Sequence, residues 1–232
     1  LQFYTSMIRP LNILIIAIFL TSCKSKSQNK IDVPKSLRLF KEGSDLLKQG
    51  FTLEFSDSLG GQKYYKLAID KFNAAYNADT TNIQLGTYFS DLYFKTQQFD
   101  SALYWTLRMF PFDSITYYKD NSISISHSYS FIGSCCLYEG DIINAEKYFR
   151  LALNADSHQV FNLTQTLSDI ADKFYYGNLP NQIKKLKSKN IEPCKYSLDI
   201  MQLGLSIGGT EKYAKDFLFT KEKFTEREKN CR

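Results

Sequence analysis

FIGSCCLYEGDIINAEKYFRLALNAD, residues Phe131–Asp156, decides the fold. Ile132, Gly133 and Cys136 fall on one face of a first helix, because residues three and four apart are neighbours on a helical surface. Glu139-Gly140-Asp141 breaks the pattern, and Ala145, Tyr148, Phe149 and Ala152 then share a face of a second helix. A turn this short returns the second helix antiparallel to the first. Small residues at facing positions let the two axes approach, and the large residues fill the sides. Gly133 and Ala145 are therefore expected to face one another where the helices cross.

Outward from this stretch the same grammar recurs. Phe89-Ser90 and Tyr93, followed by Ala102 and Trp105, form another unit. Ala68, Phe72 and Ala75 form the second helix of an earlier one. Its first helix is read over Ser36–Lys48 with Leu39, Gly43 and Leu46 inward, and an insertion at Thr52–Gly61 separates the two. Downstream, Ile170-Ala171 and Phe174 repeat the step, with Ile183 and Leu186 on the partner helix. Leu203-Gly204 and Ile207 repeat it again, followed by Ala214 and Phe217. A small residue thus returns to one slot at Gly43, Ser90, Gly133, Ala171 and Gly204. The chain holds 16 Tyr and 18 Phe against 11 Gly and 5 Pro, a balance that suits a helical array with a large core and few tight turns.

The pattern resembles the tetratricopeptide repeat, a helix–turn–helix unit of about 34 residues. That family sets a large apolar residue beside a small one in its first helix, with an aromatic three residues on, then Ala, an aromatic and Ala in its second. Ala68 and Ala102 stand one such period apart. Ala102 and Ala145 stand further apart, and the surplus is placed in a long loop at Phe110–Asn121, which holds Pro111, Asp113 and Asn121. The resemblance implies an all-α fold over residues 36–232, a right-handed α-solenoid of about three to five hairpins. It also implies a concave face, made by the first helix of each unit, that binds extended peptides or helices of a partner protein. The family's contact slots map onto Gln84, Thr87, Asp91, Phe94 and Lys95 in one unit. In the next they map onto His127, Ser130, Ser134, Leu137 and Tyr138. The family's clamp for a terminal carboxylate needs clustered Lys, Arg and Asn. Asp91 and Ser134 occupy its asparagine slots, so that specificity is not supported.

The N-terminus speaks about compartment. Leu11–Leu20 (LNILIIAIFL) is an apolar run preceded by Arg9, long enough for a signal-peptide core and too short to span a bilayer. Leu20-Thr21-Ser22-Cys23 closes it and resembles the lipobox of bacterial lipoproteins. The resemblance implies removal of residues 1–22, with Met7 as a candidate start, and acylation of Cys23, a stable anchor because several chains are buried together. The same resemblance implies the outer membrane over the inner, because Lys24 stands where lipoproteins kept in the inner membrane often carry Asp, and the periplasmic face, because no acidic run of the kind that marks surface export follows Cys23. Lys24–Lys35 is polar and aperiodic, so residues 23–35 read as lipidated cysteine and flexible tether.

The rest of the sequence carries little chemistry. The net charge of +5 is mild. Basic residues gather at Lys184, Lys185, Lys187 and Lys189, then at Lys221, Lys223, Arg227, Lys229 and Arg232. They suit contact with anionic lipid or an acidic partner, or simply solvated helix faces. Nothing supports nucleic-acid binding. His127 and His158 lack neighbours at metal-ligand spacing, Gly60-Gly61 lacks a phosphate-loop motif, and no nucleophile elbow or Cys-His pairing stands out. No catalytic residue, metal or cofactor is expected, and the chain reads as a non-enzymatic scaffold holding a protein or peptide partner in the cell envelope. The alternative is a lipoprotein that binds glycans or peptides through exposed aromatics. Cys135-Cys136 read as buried thiols. Cys194 and Cys231 lie at the same open end of the last hairpin and either pair as a disulfide or leave Cys231 free on the tail. Pairing would require the last helix to fray after Lys223 or fold back, because it would otherwise outrun its partner.

Overall fold

A computed structural model of the chain describes residues 31–82, 85–112, 122–208 and 214–231. Among the described residues the fold is all-α, with no strand. The elements are α1 (Val33–Glu54), α2 (Ser58–Ala78), α3 (Leu85–Lys95), α4 (Phe99–Phe112), α5 (Ser122–Tyr138), α6 (Ile142–Ala155), a single 3-10 turn at Ser157–Gln159, α7 (Val160–Tyr175), α8 (Pro180–Ser188), α9 (Pro193–Ile207) and α10 (Ala214–Asn230). The expected signal segment, Cys23 and the first residues of the expected tether lie outside the described residues, as do Gln84 and residues 113–121 of the expected long loop.

Short polar side chains set the helix starts. Asp32, Asp57 and Asp141 accept the backbone N–H of Lys35, Gly60 and Asn144 at 2.9–3.1 Å, supplying partners that a first turn lacks within the helix. The helix ends share one device. Gln97, Gly140, Gly177 and Asn190 have φ of 60°, 78°, 75° and 58°. After each, an N–H reaches back to the carbonyl five residues earlier: Gln98 to Tyr93, Asp141 to Cys136, Asn178 to Lys173 and Ile191 to Leu186, at 2.8–3.0 Å. That closure satisfies carbonyls a helix end would otherwise expose.

α1 pairs with α2, α3 with α4 and α5 with α6 as antiparallel hairpins. The Thr52–Gly61 stretch is not an inserted loop. It lengthens both helices of the first hairpin, so α1 runs to Glu54 and α2 starts at Ser58. The reason is close approach: a Cβ on Gly61 would stand 3.1–3.3 Å from the backbone of Gly50 and Glu54, so only a hydrogen fits between the helices there. In the third hairpin Gly133 meets the ring of Phe149, whose carbons would lie 2.9–3.0 Å from an added Cβ, and Ala145, one turn earlier on α6, is fully buried in the same cluster. Phe149 is one turn further along α6, and its buried ring reaches back across the crossing.

The fourth unit differs from the expectation. α7 packs chiefly on α9, not on α8. The two run antiparallel: Phe174 touches Tyr196 with ring centroids 5.2 Å apart, the Ser197 hydroxyl donates to the Ala171 carbonyl at 2.9 Å, and Gly204 lies by Leu167. Helix α8 is only nine residues, too short to cover α7, so α9 takes that place. α8 instead lies across the hairpin turns: Leu186 packs on Gly140, Lys185 pairs with Glu139, and the Gln182 amide donates to the Gln97 carbonyl at 3.1 Å. The repeat read at Leu203-Gly204 is therefore the partner helix of α7, not the first helix of a fifth unit.

α10 closes the end. Cys194 in the first turn of α9 and Cys231 just past α10 are joined by a disulfide with Cα atoms 5.8 Å apart. No fraying is needed: the described part of α10 is helical through Asn230, and its 17 residues nearly match the 15 of α9. Arg227, 3% exposed, crosses from α10 to pair with Asp172 and lies 4.4 Å over the Tyr175 ring. The core divides in two, one cluster around Phe72 and Phe89 in the first three helices and a larger one from Phe99 to Ile207.

Candidate functional site

Four helices end at the same place. Glu54, Lys95 and Tyr138 are the last residues of α1, α3 and α5, and Lys173 stands in the last turn of α7. Together they border an open cavity of about 510 Å³. Its floor is aromatic, from Phe94, Phe99, Phe131 and Tyr138, with the exposed Phe51 on the rim, the buried Leu179 in the wall, and Asp91, Gln97 and Asn178 adding polar groups. The first helix of each of the four hairpins contributes, so the cavity crosses the unit boundaries.

The floor is held by ring contacts. Phe99 and Tyr138 stack with centroids 3.9 Å apart. Phe94 meets Phe131 at 4.9 Å, Phe99 at 5.2 Å and Tyr138 at 5.6 Å. Each such pair adds roughly 0.5–1.5 kcal/mol beyond its buried area, so the floor is already assembled by its own contacts.

The polar groups are unequally occupied. Lys95 Nζ donates to both Glu54 carboxylate oxygens at 2.9 Å and lies 5.0 Å over the Phe51 ring. The Tyr65 hydroxyl donates to Glu54 Oε2 at 2.8 Å. The Lys95 and Tyr65 hydrogen bonds hold the Glu54 carboxyl below its usual range, and burial pushes the Tyr65 hydroxyl up. Lys173 Nζ donates to the Tyr138 hydroxyl at 3.2 Å; burial raises that hydroxyl too, with Lys173 pulling the other way. Asp91 has no hydrogen bond or ion pair among the described residues. Its side chain is open by area, yet the surrounding protein desolvates it enough to raise its carboxyl, against the pull of Lys95.

The structure brings Asp91, Phe94, Lys95 and Tyr138, from the expected contact slots, into this one cavity. Thr87 and His127 are exposed but lie outside its wall. Ser130 is half-buried and donates to the Ser126 carbonyl. Leu137 and Ser134 do not face a groove. Leu137 is fully buried in the larger core, and Ser134, 6% exposed, donates back to the Ser130 carbonyl at 2.9 Å; α5 presents that face to its neighbours instead. Gln84 and Cys23 lie outside the described residues.

Phe51, Glu54, Phe99, Phe131, Gln97, Lys173, Asn178 and Leu179 join the site without having been singled out in the sequence. For Phe51 and Glu54 the signal is Gly50, a second small residue about two turns on from Gly43 on the same helical face, which extends the α1 seam past Lys48. Gln97 gives no such signal, since its side chain does not advertise a positive φ.

Burial raises both neighbouring thiols, that of Cys136 to about 11, and both side chains are enclosed. No group of three or more His, Cys, Asp and Glu side chains among the described residues could hold a metal ion. No helix among them is long and apolar enough to cross a membrane. Comparison with protein-family models, with curated proteins and with solved structures gives no match for this chain.

Proposed function

We propose that this chain is a non-enzymatic binding module whose hairpins form a right-handed solenoid similar to tetratricopeptide arrays, and that it holds an extended peptide or helix of a partner protein in the cavity at the ends of α1, α3, α5 and α7. One observation carries the reading: a preformed, aromatic-floored concavity of about 510 Å³ is lined by the first helix of every hairpin. That size admits two or three side chains of a bound segment, and an aromatic floor with a polar rim is the composition of a binding hot spot. The lipobox-like Leu20–Cys23 supports an anchored location, with the module tethered to the outer membrane and facing the periplasm.

Site-specific photocrosslinking tests this. A benzophenone amino acid in place of Phe51, on the cavity rim, should give a discrete adduct with a protein in intact cells. The same group in place of Tyr104, 55% exposed on α4 and outside the cavity, should not. Adducts from Tyr104 and none from Phe51 would overturn the proposal.

A further inference from the structure

The cavity holds a carboxylate that no ion pair or hydrogen bond among the described residues engages. Its lining holds two acids and two bases, Glu54, Asp91, Lys95 and Lys173. Their sum is neutral, but their engagement is not. Lys95 is taken up by Glu54 through two 2.9 Å contacts. Lys173 sits in the last turn of α7 and donates to Tyr138. The C-terminal ends of α1, α3 and α5, with the last turn of α7, border the same space. A helix C-terminus carries a partial negative charge equivalent to about half an electron, which lysines in a last turn offset. The helices behind start with their own acids: Asp57 and Asp141 cap α2 and α6, and Asp100 stands in the first turn of α4. Asp91 therefore remains as the one cavity carboxylate without an ionic or hydrogen-bonded partner among the described residues, one turn before Phe94 on the same face of α3, with the Lys173 ammonium held away from it on the neutral Tyr138 hydroxyl.

Resting on the proposed binding role, we infer that the cavity selects a partner segment with a basic side chain for the Asp91 carboxylate and an apolar side chain close by for the surface of Phe94 and Phe131. The aromatic floor favours the same partner twice, since it takes the apolar group by burial and the stem or head of the Lys or Arg by cation–π contact. A terminal carboxylate or an acidic segment would meet Asp91 and the helix C-terminal ends as like charges. Asp91 is unbonded and open by area, so changing it leaves the fold intact.

A random-dodecapeptide display library, selected on the full chain, reads this preference directly. Selection on wild type should enrich a basic residue next to an aromatic or branched apolar one. Asp91→Asn should keep the apolar position, lose the basic one, and weaken a wild-type binder about ten-fold, as expected for one charged hydrogen bond. Asp91→Lys should turn the preference to Asp or Glu, while Lys173→Ala should leave the basic position in place. Enrichment of acidic residues by wild type, or a basic position unchanged in Asp91→Asn, would overturn the inference with the binding role intact. No enriched peptide at all, with all proteins melting alike, would overturn the binding role and this inference with it.

Discussion

Replacing Gly43 and Gly204 by alanine, one at a time, should separate the two in stability: Gly204→Ala gains, and Gly43→Ala gains nothing or loses. Both glycines lie inside helices against a neighbouring helix, so both gain about 1 kcal/mol of helix propensity from the added methyl. At Gly204 the Cβ would stand 3.6 Å from Leu167 Cβ and 3.8 Å from its Cδ1, ordinary contact distances. At Gly43 it would stand 2.6 Å from two carbons of the Phe72 ring. That ring is 0% exposed and wedged among Phe40, Tyr88 and Phe89, with centroids 5.4–6.3 Å away. It must retreat by close to an ångström and push those rings with it. Overpacking of that kind costs about 1–3 kcal/mol. The two variants should therefore differ by about 1–3 kcal/mol, and at roughly 2–4 °C per kcal/mol for a domain of this size, Gly204→Ala should melt about 2–12 °C above Gly43→Ala. Thermal melts of the purified chain followed by circular dichroism decide it. Gly43→Ala melting with or above Gly204→Ala would refute the first hairpin's packing.

Glu54 gives a pH test. Its carboxyl is held below the ordinary range in the folded chain, so its contribution is present above the unfolded pKa, about 4.3, and is lost as pH falls through the lower folded value. Glu54→Gln should be less stable than wild type at pH 7, with the difference shrinking below about pH 4; a constant gap across that range would count against the Glu54–Lys95–Tyr65 cluster. Cys135 and Cys136, enclosed and with raised thiol pKa values, should react with a maleimide far more slowly in the native chain at pH 7 than in guanidinium, and equal rates would contradict their burial. Cys23→Ser should abolish lipid labelling and release the protein from membranes, whereas unchanged fractionation and labelling would reject the anchor.

The helical hairpins were legible because their seams are written in residue size. Glycine and alanine beside large apolar side chains mark where two axes approach, and Gly43, Ala68, Phe89, Gly133 and Phe149 are all buried at such seams. The fourth unit was misread because size patterns do not encode direction. Ala171 and Gly204 carry the same signature, yet the short α8 turns α9 back along α7, so both glycine-type slots serve one hairpin. The site was half legible. Of the expected contact residues, Asp91, Phe94 and Lys95 on α3 and Tyr138 on α5 border the cavity, whereas Thr87 and His127 lie outside its wall and Ser134 and Leu137 are buried where α5 is covered by its neighbours. The rim residues Phe51 and Lys173 come from units whose slots the sequence pattern left unmapped, and only the convergence of helix ends brings them to the cavity.

The cavity's role is tested most directly by titrating the partner segment recovered from the Phe51 crosslink against three forms of the chain in a calorimeter. Truncating an aromatic that a partner buries fully costs about 2 kcal/mol, so Phe51→Ala, which removes the ring that crosslinks, should weaken binding by at least about ten-fold while Tyr104→Ala binds as wild type does. Equal affinity for wild type and Phe51→Ala, or a loss confined to Tyr104→Ala, would contradict the assignment of the cavity as the binding site.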